Sequence, residues 1–126
     1  MPQKDADEMG LQSRLAFEAV LHGKASRRDV LGVVQATLLT GFITEAGHGL
    51  LELGFIRQVE DEVLSILHSG EKDATWEFSE ALLTSLRQII NEHDRQLRET
   101  RLGIVIAAVQ KLDRRIASSS SKLSAA

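Results

Sequence analysis

The sequence predicts an all-α fold: a four-helix bundle-like single domain with a long C-terminal helix. Three observations predict it. Proline occurs once and tyrosine not at all, while Leu, Ala, Val and Ile abound, a balance that favours helices over strands. Apolar residues recur at Leu82, Leu86, Ile89, Ile90, Leu97, Ile104, Ala108, Leu112 and Ile116, a spacing that draws one stripe along a helix of period 3.6. The stretch 79–116 contains no proline and a single glycine, Gly103. An unbroken helix there would rise roughly 55–60 Å; the alternative is a partial break near Thr100–Gly103, where Arg101 interrupts the stripe. The unbroken length exceeds a compact domain of 126 residues, so the surplus stripe is expected to be covered by a second chain. A homodimer through the last helix is the simplest form of that expectation.

Residues 1–10 are polar and acid-rich and read as a flexible tail. Residues 11–22 read as the first helix, with Leu11, Leu15, Val20 and Leu21 apolar, Phe17 available for the core and Gly23 as the helix stop. Ser26-Arg27-Arg28-Asp29 is a helix start. The serine hydroxyl accepts a backbone N–H, and the aspartate complements the positive helix end. The helix that follows, 27–46, is apolar on much of its circumference and is expected to be central. Gly32 and Gly41 inside it each cost about 1 kcal/mol against alanine, so close approach of a neighbour is the expected return. Gly47-His48-Gly49 breaks it.

A third helix spans 50–68. Leu53, Ile56, Val59, Val63, Ile66 and Leu67 form its inner face, and Glu60, Asp61 and Glu62 are assigned to water. Ser69-Gly70 is expected to end it. Residues 71–78 form a loop whose Trp76 and Phe78 lie across the bundle, and Ser79 caps the last helix. The helical domain thus covers 11–117, and the serine-rich segment 118–126 reads as disordered.

Composition narrows the function classes. Cysteine is absent, which removes disulfides and thiolate chemistry and fits a cytoplasmic location. No apolar run is seen that approaches the roughly 18 residues of a membrane span, so no membrane association is expected. The net charge of −3 disfavours generic polyanion binding, although the charge is uneven. From Ser79 on there are eight Lys/Arg against five Asp/Glu; before it, seven against thirteen.

Nucleotide-binding glycine loops, HExxH and GxSxG are all missing. Glu45-x-x-His48 matches half of a di-iron carboxylate element, but its second copy is missing and Gly47 interrupts the helix. No metal, cofactor or catalytic residue is therefore assigned, and the chain is not expected to be an enzyme. His93 lies on the apolar stripe and reads as a buried histidine held by a hydrogen bond, with a polar side chain that sets the register of a helix contact as the functional alternative. The expected protein interface is Trp76, Phe78, Ile89, His93, Leu97, Ile104, Ala108 and Leu112. Arg87, Arg98 and Arg101 are the candidate nucleic-acid contacts, on a broad side of the last helix.

The order of landmarks resembles a family of small helical proteins carried on plasmids, prophages and integrative elements of proteobacteria. The resemblance rests on Ser26-x-x-Asp29, on Trp76 before the last helix, and on Asn91-Glu92-His93-Asp94-Arg95-Gln96-Leu97. It spans about residues 17–116. Val30 stands where family members carry tryptophan. The family supplies no catalytic residues. It implies an accessory protein of a mobile element that antagonises a host defence complex by binding it. Members are also labelled transcriptional regulators, so a DNA-binding regulator is the alternative. The reading is a non-enzymatic protein-binding module, regulatory or inhibitory, with a protein partner the sequence does not identify.

Overall fold

The computed structural model describes residues 3–73, 75–100 and 102–125. Among these the chain is all-helical, without a strand: α1 (Gln3–Leu21), α2 (Arg27–Ile43), a π-wound turn (Thr44–His48), α3 (Leu53–Asp73), α4 (Glu80–Glu99) and α5 (Leu102–Ala125). Five helices replace the four expected.

α2 is the hub, packing on α1, α3, α4 and α5. Its start is the box read from the sequence. The Asp29 N–H donates to Ser26 Oγ at 3.4 Å and the Ser26 N–H to Asp29 Oδ2 at 3.0 Å. Its apolar circumference makes the stretch Arg27–His48 long and apolar enough to cross a membrane, with a mean hydropathy of 1.4. This corrects the expectation of no run near that length: Gln35, the threonines and the glycines punctuate the stretch without lowering its mean hydropathy below that of a span. Here the helix serves as core: Val30, Val33 and Ile43 are wholly buried. The expected close approach occurs at Gly41, where an added Cβ would sit 3.3 Å from Ile56 and overlap the Glu60 carboxylate. Gly47, with φ 98°, opens the turn that ends this run.

Contacts fix the helix directions. α1 runs against α4, with Phe17 beside Arg87, Arg14 beside Asn91 and Asp94, and Asp7 beside Arg98. α3 runs against α2, with Arg27 bonded to Glu71 at one end and Gly41 against Ile56 at the other. The principal core gathers Ala16, Phe17 and Val20 of α1, the α2 face, Ile56, Val59 and Val63 of α3, and Leu82, Leu86, Ile89 and Ile90 of α4. A second cluster joins Leu39, Ile43, Leu97, Val105 and Ala108.

Several expectations need correcting. α1 begins at Gln3, so most of the assigned tail 1–10 is helical; Met9 packs on the second cluster and Gly10 is buried against Asp94. α3 continues through Ser69-Gly70 to Asp73. The helix survives there because Gly70 lies directly under the Trp76 ring, which a Cβ would overlap. Glu60, assigned to water, is buried. α5 extends to Ala125, into the serine-rich segment expected to be disordered; Ala126 lies outside the described residues. A helix nucleated upstream propagates over serines at a small cost per residue.

For the stretch 79–116 the fold takes the broken form, at the place where Arg101 interrupts the stripe in the sequence. The stretch is two helices, separated at Thr100, whose backbone is extended (φ −89°, ψ 141°). α5 turns back along α2, against it in direction: Val105 and Ala108 meet Leu39 and Ile43, while Arg115 and Ile116 approach Arg27 and Leu31. The physical reason is burial. Each large apolar side chain removed from water is worth roughly 1.5–3 kcal/mol, against about 1 kcal/mol for each net hydrogen bond lost at the elbow. The stripe that was expected to demand a second chain is covered by the chain's own α2.

Candidate functional site

The segment Asn91–Leu97 singled out in the sequence lies on α4 and faces two ways. Glu92, His93, Gln96 and Leu97 are buried. Glu92 receives the Leu50 N–H on Oε2 at 2.6 Å and the Arg95 Nε–H on Oε1 at 2.6 Å. Arg95 also donates to Glu99 at 2.8 Å and to the His48 carbonyl at 3.0 Å. Gln96 Nε2 donates to Thr44 Oγ1 at 2.9 Å. These bonds tie down the turn that follows α2. Burial would raise the Glu92 carboxyl, but the Arg95 hydrogen bonds and the Leu50 N–H outweigh it and hold it below the usual range. Both oxygens are committed, so the acid is structural.

A second ionic group joins the π-wound turn to α3. Arg57 donates to both Glu60 oxygens at 2.9 Å and to Glu45 at 2.7 Å. At Glu60 burial wins and pushes the carboxyl up, with Arg57 offsetting only part. At Arg57 burial pulls down, yet the two acids together produce a net rise. Glu45, which matches half of a di-iron element in the sequence but was assigned no metal, is bound to an arginine. Among the described residues no three His, Asp or Glu side chains are placed to hold a metal ion.

His93 is 2% exposed and walls a cleft of about 180 Å³, with Gln12, Ser13, Gln35, Val109 and Leu112 among its neighbours. Its Nδ1 has no hydrogen-bond partner. Burial, opposed only by the Asp94 charge, lowers its pKa to about 4, so the ring is neutral at pH 7.

The residues assigned to an interface are mostly interior. Ile89, His93, Leu97, Ala108 and Leu112 are buried within the chain and Ile104 is half-buried. Trp76 and Phe78 are half-buried against the principal core, so the expected placement of this loop across the helices is what the fold contains. The stripe is therefore an intramolecular core seam in this structure. Of the candidate nucleic-acid contacts, Arg87 lies over the Phe17 ring at 5.8 Å and Arg98 lies 3.7 Å from Asp7. Both edge the α1–α4 seam. Arg101 lies outside the described residues.

The free apolar surface is elsewhere. Leu11 and Leu15, one turn apart on α1, are 59% and 60% exposed, on the side away from Ala16, Phe17 and Val20. Glu8, Gln12, Arg14 and Glu18 are exposed around them. The sequence marks these leucines as apolar without deciding which way they face. The signal was present: α1 carries two apolar stripes, and only one can face the core. No family model matches this chain, and no curated protein or solved structure resembles it significantly.

Proposed function

We propose that the chain is a non-enzymatic protein-binding module, regulatory or inhibitory in effect, which docks through the outer face of α1. The observation that supports this is the exposed Leu11–Leu15 pair, ringed by side chains of both charge signs. That pattern, an apolar centre within a polar rim, suits a helix or groove on another protein. The buried acids add support, because Glu92 and Glu60 are consumed by their own arginines. A cytoplasmic setting and an accessory role on a mobile element, with antagonism of a host defence complex, belong to the same proposal. They are supported by composition and by the motif resemblance.

The test is site-specific photo-crosslinking in the cells that make the protein. A photoreactive residue at Leu11 is expected to give one discrete heterologous product, lost when Leu15→Lys is added. The same probe at Leu50, which is 77% exposed and far along the chain, serves as the control. Equal labelling at Leu11 and Leu50, or none at Leu11, overturns the reading. The alternative, a DNA-binding regulator, predicts a duplex-DNA shift at low salt that Arg98→Glu removes. It has less support, since Arg87 and Arg98 lean on α1.

A further inference from the structure

We propose that α5 exchanges between two copies of the chain: the elbow at Thr100 straightens, α4 and α5 continue as one helix, and each copy's α5 lies on the other's α2. This goes beyond docking through α1 and uses a different surface.

Nothing local in the sequence enforces the elbow. Proline is absent from 80–125, and Gly103 has open space where a Cβ would go and no positive φ. The apolar spacing passes through the break without losing phase, from Leu86, Ile90 and Leu97 to Ile104, Ala108 and Leu112. A straight helix over 80–125 is thus compatible with its own pattern and would run about 70 Å. It would restore the long C-terminal helix that the sequence predicts.

The connection is short. Thr100 is the one described residue between the helices, and it is extended. Short hinges are where exchange of an element between protomers is favoured.

The contacts of α5 transfer as a set. It packs chiefly on α2, and among the described residues no side-chain hydrogen bond binds it to another helix. Clefts flank it on both sides. One, of about 180 Å³, opens towards α1 and α4; the other, of about 210 Å³, opens towards α3. Val105 and Ala108 on Leu39 and Ile43, Lys111 over the Phe42 ring at 5.9 Å, and the attraction of Arg115 for Glu60 all recur when the helix comes from a second copy. The groove therefore names its occupant: it is already filled by this segment. The closed monomer and the exchanged dimer differ at the elbow and in association, and elsewhere share one contact list.

The absence of cysteine makes the test clean. One full-length chain carries Leu39→Cys alone and another Ala108→Cys alone. They are unfolded together, refolded and oxidised. Exchange yields a disulfide-linked heterodimer, because each chain then supplies one half of the Leu39/Ala108 contact. A third chain carrying both substitutions shows that the pair is within bonding reach. Light scattering on cysteine-free chains supplies the second readout. Thr100→Ala with Gly103→Ala favours the straight helix and is expected to lower the dimer dissociation constant at least tenfold. Inserting Gly-Gly-Ser after Thr100 relaxes the hinge and is expected to raise it at least tenfold. A monomer at every concentration for all variants overturns the proposal. So does a dimer in which the singly substituted chains never link while the doubly substituted chain links within itself.

Discussion

α4 and α5 carry one apolar stripe between them, yet the fold holds them differently. α4 is pinned from three sides. Arg14 reaches Asp94 and Asn91 from α1, Gln96 holds Thr44, and Glu92 caps the Leu50 N–H. Leu86, Ile89 and Leu97 beneath are fully buried. α5 lies on α2 by apolar contact with a cleft along each edge. The difference teaches that a hydrophobic period buries a helix but does not fix it. Directional bonds to neighbours do that, and they are absent from α5 among the described residues.

Substitutions measure this contrast. The largest expected effect is Leu86→Ala in α4, a loss of about 3–4 kcal/mol for a filled core site, against about 1–2 kcal/mol for Leu112→Ala, whose surroundings border a cleft. Equal losses in denaturant titration would erase the distinction between the two helices. Next comes Glu92→Ala, which strands Arg95 and the Leu50 N–H and is expected to cost about 3 kcal/mol.

Smaller per pH unit is the slope that comes from His93. The folded ring titrates near 4 and the unfolded ring near 6.5, so the unfolded chain binds the extra proton between those values. Stability is full above pH 6.5 and declines as pH falls towards 4, by up to about 1.4 kcal/mol per pH unit. Denaturation midpoints across that range are expected to follow the slope, and His93→Leu to flatten it. Glu92, held below 4.5, adds its own loss only at still lower pH. The smallest effect on stability belongs to Leu11→Lys and Leu15→Lys, each within about 0.5 kcal/mol. On the proposed docking through α1, those changes are expected to alter binding and leave the fold intact, which would separate that face from every buried site above.

Much of the local structure was legible in the residues. Ser26 and Ser79 cap where the pattern says, Gly47 opens the turn after α2, and the apolar girth of α2 marks the hub. The candidate surface was not legible. α1 offers Leu11–Leu15 and Ala16–Phe17–Val20 as rival faces, and choosing between them requires knowing that Arg14 anchors to α4. Glu60 likewise reads as a surface acid until Gly41 and Arg57 are seen to enclose it.

By itself the sequence determined helicity, caps and the single stripe on 79–116, because these depend on neighbours within a turn or two along the chain. The interruption near Thr100 was visible in the sequence, but only the tertiary structure decided that the chain bends there and that α2 covers the stripe. That choice compares a few backbone hydrogen bonds with the burial of side chains against a surface some 65 residues earlier. No window of sequence contains both sides of that comparison.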